Sequence, residues 1–143
     1  MSGPVDELLA AGRETAQSLM ESVVLIRRET GTTKNPSNGQ IQKTWTTIYE
    51  GPARVRLTDS DPRDVDASGQ RFAIQDPVVS LPVLGDPRIV TGASAAVHVD
   101  DVGTVRENPH DPGEVGTTFR IDGRVGQTHS TARRLRAEVL SHA

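Results

Sequence analysis

SVVLIRRETGTTKNPSNGQIQKTWTTIYEGPARVRLT, residues 22–58, is the stretch on which the reading of this chain turns. It reads as strand, long polar turn, strand, Gly-Pro corner and strand. The first run, VVLIRR (Val23–Arg28), is β-branched and apolar before it becomes charged. The second, IQKTWTTIY (Ile41–Tyr49), puts Trp45, Thr47 and Tyr49 on one face, because side chains alternate along a strand. The third, ARVRLT (Ala53–Thr58), alternates Ala53, Val55 and Leu57 against Arg54, Arg56 and Thr58. Between the first two lies TGTTKNPSNGQ (Thr30–Gln40), too polar to bury a core face. Its Asn35-Pro36 and Asn38-Gly39 are turn dipeptides: Pro fixes φ, and Asn and Gly tolerate positive φ. A small antiparallel sheet with a protruding loop is the expectation.

Composition bounds what such a sheet can do. At 143 residues the chain is expected to be a single domain. Apolar residues make up 34%, below the roughly 45–50% of ordinary globular proteins. The aromatic residues are Trp45, Tyr49, Phe72 and Phe119, and these are the expected anchors of the core. So lean a core implies that neighbouring subunits supply part of the stabilisation. There is no cysteine, which removes disulfides and thiolate chemistry. No run of about 18 apolar residues and no secretory leader pattern is found, so a soluble protein of a cytoplasm-like compartment is expected, with no membrane partner. A net charge of −3 argues against a dedicated nucleic-acid binder.

Working outward, residues 4–22 read as an amphipathic helix. Pro4 suits the first turn, Asp6 and Glu7 complement the positive end, and Leu8, Gly12, Ala16, Leu19, Met20 and Val23 form a stripe. Its polar face is mostly acidic, which excludes a membrane-surface helix. Downstream, RFAIQD, PVVSLPVL, residues 88–91, residues 95–99 and TTFRIDGRV read as short strands, with Phe119 and Ile121 inward and Asp122-Gly123 as a hairpin turn. STARRLRAEVL satisfies both strand and helix periodicity. Short strands at intervals of about ten residues predict a mostly-β chain, a small barrel or sandwich with an N-terminal helix and long polar loops.

Candidate chemistry is thin. Asp59, Asp61, Asp64 and Asp66 suggest calcium, but an EF-hand loop needs Gly at position six and Glu at twelve, where this chain has Asp64 and Gln70. A solvated acidic loop is the better reading. On a strand, His98 and Asp100 would point the same way and could ligate a metal if His110 or Asp111 added a third ligand, but solvent-exposed polar residues at a strand end are the better reading. His129 and Ser130, with Asp122, could imitate a nucleophile and base, yet strand neighbours face opposite ways and no Gly-x-Ser-x-Gly elbow exists. VTGASAAV lacks the Lys-Ser/Thr of a phosphate loop. No catalytic set and no cofactor site is expected. The basic residues Arg54, Arg56, Arg133, Arg134 and Arg136 cluster on strand faces; pairing them with acidic loops between subunits uses these charges more economically than nucleic-acid binding.

The combination ESVVLIRRETG, TTKNPSNGQ and TWTTIYEGPARV, continued by GQRFAIQDPVVSLPV, DPRIVTGASAAVHV and FRIDGRVGQTHSTARRLRAEVL, resembles the head-closure or "stopper" head–tail connectors of tailed phages, in particular those of actinobacterial phages. The likeness covers nearly the whole chain. It implies a non-enzymatic virion protein: a β-barrel of about residues 23–140 after the helix, assembled in the host cytoplasm as a homo-oligomeric ring, a hexamer or dodecamer, at the neck. The ring would stack between a portal–adaptor protein and a tail terminator or tail tube, and close the channel on packaged DNA without sequence specificity. It also tilts the C-terminal run towards strand. On this reading Lys34, Asn35, Asn38 and the aspartates 59, 61, 64 and 66 belong to inter-subunit or lumen-facing loops. A tail terminator, another connector protein, or a small β-barrel binding single-stranded nucleic acid are the alternatives.

Overall fold

Alternation along the strands decides which side chains meet. In the computed structural model, which describes residues 3–57, 77–125 and 130–141, helix α1 (Pro4–Ser18) precedes seven strands. These are β1 (Ser22–Lys34), β2 (Ile41–Arg56), β3 (Val78–Leu81), β4 (Thr91–Gly92), β5 (Val102–Glu107), β6 (Thr118–Val125) and β7 (Arg133–Ser141). Short 3-10 turns occupy Ser94–Ala96 and Pro112–Glu114. Asp59, Asp61, Asp64, Asp66, Phe72, His129 and the expected strand at 71–76 lie outside the described residues.

The chain is mostly β, with the strands in one antiparallel sheet of order β1-β5-β6-β7-β3-β2-β4, and a further β1–β2 pairing folds that sheet back on itself. The circuit is uneven. The β1–β2 ladder has twelve pairs, whereas β2–β3 and β5–β6 have three each. The result is a flattened, sandwich-like body rather than a regular barrel of equivalent strands. Inside it lie Val24, Ile26, Tyr49, Val79, Leu81, Val97, Val105, Phe119, Ile121 and Leu135, all but inaccessible to solvent.

Several expectations are corrected by the ladders. β2 is one continuous strand through Gly51-Pro52, not two around a corner. Pro52 falls in the gap between the β4 ladder, which ends at Glu50, and the β3 ladder, which begins at Arg54, where a residue with no N–H is tolerated. The polar loop is shorter than its composition suggests: Thr30–Lys34 continues β1, and only residues 35–40 turn. Backbone pairing does not require burial, and threonine suits a strand. Asp122-Gly123 makes no hairpin; β6 runs straight through it with an irregularity between Ile121 and Gly123. Residues 95–99 form no strand; a 3-10 turn occupies Ser94–Ala96. The helix stops at Ser18, short of residue 22, with Met20 buried beyond it. The C-terminal run is strand: Leu135 and Ala137 are buried, and Arg134 and Arg136 are exposed.

The anchors divide. Tyr49 and Phe119 are fully buried, and the Tyr49 hydroxyl donates to the Pro52 carbonyl at 2.6 Å, which satisfies its polar end. Trp45 is not an anchor; it is half-buried. The β1–β2 register slips between Ile26 and Arg27, where Ile26 pairs with Tyr49 but Arg27 with Thr47. That slip leaves Ile48 over and exchanges the faces of β2, so Trp45 emerges on the Arg27 side, away from the core. The Arg27 guanidinium lies 5.1 Å from its ring centroid.

Phe119 fits because its partner on β5 is Gly103. A Cβ there would come within 2.3 Å of the Phe119 ring. Gly103→Val is expected to lower the unfolding free energy by about 1–3 kcal/mol, as overpacking does. Urea titration measures it, and a midpoint equal to that of the wild type contradicts the wedged ring.

Candidate functional site

Polar ladders make an arm. Beyond the register slip, the β1–β2 hairpin leaves the core, and from Glu29 to Lys43 every residue but Asn35 is exposed. Six residues of β1, Glu29–Lys34, carry the ribbon roughly 20 Å out at the rise of a strand. Its tip is organised by its own side chains. Asn35 Oδ1 accepts from Ser37 N and Asn38 Oδ1 from Gln40 N, both at 2.9 Å, while Asn35 N donates to the Gln40 carbonyl at 2.8 Å. Gly39 takes the positive φ of 72° that the turn demands. Lys34, Asn35 and Asn38 therefore stand at the end of a two-stranded ribbon.

Helix α1 is the second exposed element. It has no buried residue, and Val5 and Leu8 are 56% and 74% exposed. Its N terminus is closed by Asp6, whose carboxylate accepts from Gly3 N at 3.2 Å. Its last turn contains no cation, and one is brought from outside. Arg88 donates to the carbonyls of Met20 at 2.9 Å and Gln17 at 3.0 Å. The Gln17 carbonyl belongs to the last turn of the helix and the Met20 carbonyl follows its end, where a positive charge is favoured. Asp86 holds that guanidinium by bonds of 3.1 and 2.9 Å. Arg13 adds a bond to the Ser130 carbonyl at 3.1 Å. The helix is thus clamped to the body by polar contacts at its C-terminal half, while its first two turns overhang. The sequence carried one signal of the clamp: a helix without a basic last turn and an Asp-Pro-Arg corner elsewhere.

The third feature is a lattice of arginines. On β3, Val78 and Ser80 point outward between the buried Val79 and Leu81. Ser80 pairs with Arg54 on β2 and with Arg134 on β7; Val78 pairs with Arg56 and Arg136. Four exposed arginines thus frame a shallow trough with β3 as its floor. A cavity of about 190 Å³ there is lined by Arg54, Arg56, Val78, Ser80 and Arg134. Among the described residues no carboxylate lies within salt-bridge distance of Arg54, Arg134 or Arg136. Arg136 lies across Gly123, where a Cβ would meet its guanidinium at 2.5 Å. Arg133 does not belong to this face. One residue out of phase with Arg134, it turns inward and donates to Ser94 Oγ at 3.0 Å, and burial, with Arg124 nearby, lowers its pKa.

The suspected ligand and catalytic groups have other employment. Asp101 is buried and accepts from Arg28 at 2.8 and 3.0 Å and from His98 N at 2.8 Å. That bidentate bond raises the Arg28 pKa and ties β1 to the 94–101 segment. His98 and Asp100 occupy a turn, not a strand, and Asp100 sits at φ 77°. His110 pairs with Glu21. Among the described residues no three His, Asp or Glu side chains converge to hold a metal ion, and Ser130 serves Arg13 through its carbonyl.

Residues 12–138 match a family model described as "Family of unknown function (DUF6093)". The chain belongs to this family. In this DUF6093 member the match takes in the C-terminal half of α1, β1 to β6 and most of β7, but not the overhanging first turns. No curated protein and no solved structure matches the chain.

Asp86 sets the acid behaviour of the helix clamp. The Arg88 bond holds its carboxyl below the ordinary value, so the clamp's stabilisation is complete above the unfolded aspartate value of about 3.9 and is lost as pH falls through the lower folded value. Urea midpoints measured from neutral to acid pH should therefore fall more steeply below about pH 4 for the wild type than for Asp86→Asn. Parallel curves for the two proteins would remove Asp86 from the acid limb.

Proposed function

We propose that this protein is a structural subunit of a phage head–tail connector, in the manner of a stopper ring. The observation that carries the reading is the arm. A two-stranded ribbon exposed on both faces has almost no tertiary support, and such ribbons are marginal alone. Its persistence as seven ladder pairs beyond the slip, from Arg27–Thr47 to Lys34–Ile41, beside so lean a core fits an element that is completed against another molecule. The overhanging helix makes the same demand at another place on the surface. With its titratable clusters committed to structural bonds, the chain works on this reading by docking, not by chemistry.

The resemblance of residues 22–58 and the TARRLR segment to head-closure proteins supplies the kind of assembly. In it, copies of this chain form a ring at the neck of a virion, between the portal–adaptor and tail components, around the DNA channel. The arm reaches the neighbouring component, and the sandwich-like body is the spacer that fixes where the arm begins. A single-stranded nucleic-acid module is favoured less, because stacking platforms need exposed aromatic rings beside the cations. Among the described aromatic residues, Tyr49 and Phe119 are buried, and the half-buried Trp45 ring is covered by Arg27.

The arm can be removed cleanly. Replacing residues 30–44 by Asn-Gly closes the Glu29–Trp45 pair with a two-residue turn. In urea titration the trimmed chain should keep the wild-type unfolding free energy within about 0.5 kcal/mol, as surface changes do. It should fail to join DNA-filled heads to tails in an extract lacking the wild-type chain. Head–tail joining at the wild-type level by the trimmed chain, or a virion map without the chain at the neck, refutes the proposal.

A further inference from the structure

The trough and the overhanging helix are complementary in shape and charge. In the first turns of α1 the apolar residues Val5, Leu8 and Leu9 form one arc, with Asp6 at its edge and Glu7 further round the helix at 100° per residue. The trough presents the reverse: an apolar and hydroxyl floor, Val78 and Ser80, between a β2 wall of Arg54 and Arg56 and a β7 wall of Arg134. Those walls stand two strand spacings apart, roughly 9.5 Å, close to the roughly 10–12 Å width of a helix with its side chains.

From this we infer that the first two turns of α1 of one copy dock in the arginine trough of the next, making a head-to-tail contact between copies. Leu8 sits on Val78 and the aliphatic stems of the arginines, Asp6 meets the guanidinium groups of one wall, and Glu7 adds negative charge above the trough. The contact is heterologous: the helix of a subunit is given to one neighbour while its trough receives the helix of the other. Such a contact either closes into a ring or grows as a filament. The chain's own helix cannot fill the trough, because Arg88 fixes its C-terminal end to Asp86. A cleft of about 230 Å³ beside its later turns, from Gly12 to Met20, reaches Arg54, Ser80 and Arg134. The inference deepens the ring reading above by naming the surfaces that join the copies.

Sedimentation velocity of the purified full-length chain tests it without any phage component. The wild type should self-associate, and more weakly as salt is raised. Arg54→Glu with Arg134→Glu, and separately Asp6→Arg with Glu7→Arg, should each weaken association roughly tenfold or more. Mixing the two variants should restore assembly, because the intact helix of one meets the intact trough of the other, and the reversed pair is again complementary. Leu8→Asp, at an exposed position, should weaken association with an unchanged circular dichroism spectrum and is not rescued by mixing. A wild type that stays monomeric at high micromolar concentration, or reversals that leave association intact, overturns the inference. So does association that resists the reversals while binding of a single-stranded oligonucleotide is lost with the trough arginines; the lattice is then a polyanion site. Self-association by this contact in a chain absent from the virion neck would leave the inference standing and end the connector reading.

Discussion

The β1–β2 ladder is the constraint on which the rest depends. Its first five pairs, from Ser22 to Ile26, run through the core and bring Val24 and Ile26 beside Tyr49. At the slip between Ile26 and Arg27 the pairing continues but the facing changes, because one extra residue on one strand exchanges the two sides of that strand. Inside the slip a strand has a buried face and a covered edge, and the body can close around it. Further out, from Glu29 to Lys43, both faces are exposed but for Asn35. One irregularity therefore divides a single hairpin into a structural half and an arm, and it also carries Trp45 out of the core.

What the body lacks in apolar area it makes up with guanidinium clamps, each joining segments remote in sequence. Arg28 reaches Asp101 and the Ala96 carbonyl; Arg88 reaches Asp86 and the end of α1; Arg133 reaches Ser94. Two of these acceptors are buried carboxylates, and a bidentate arginine is the partner that makes such burial tolerable. The consequence for the helix is specific. A helix held by its C-terminal carbonyls is fixed in position without spending its apolar stripe on its own sheet, and so Val5 and Leu8 remain outside.

Much of this was legible in the sequence wherever period-two alternation was unbroken. RRLRAEVLS alternates cleanly, and Leu135 and Ala137 are in while Arg134 and Arg136 are out. Phe119 and Ile121 obey the same rule. The readings fail where alternation is interrupted by one residue. The bulge at Ile48 reversed the assignment of Trp45, and the irregularity after Ile121 turned an Asp-Gly that looks like a hairpin into strand. A bulge has no composition of its own, so pattern reading passes over it. The arginine lattice was visible as a set of basic residues, but its geometry was not. That Arg54 and Arg134 flank a common Ser80 is fixed by the order β7-β3-β2, a long-range fact. Arg133 was counted with its neighbours because charge was read without parity.

The chemistry of the exposed surfaces bears on when such a subunit would associate. Val5 and Leu8 are a small apolar area, and a large exposed apolar patch would drive association indiscriminately. Exposed charge pairs are individually weak, on the order of 0–1 kcal/mol, so a single helix-in-trough contact would leave the free subunit largely soluble. A closed ring changes the balance, since the last subunit to enter makes two contacts at the entropic cost of one, and the effective concentration of the second partner is set by the ring itself. Weak, charge-directed contacts of this kind favour complete rings over partial ones. Arg54 and Arg134, which have no carboxylate within salt-bridge distance among the described residues, would make the contact directional, because a trough of one sign cannot accept another trough.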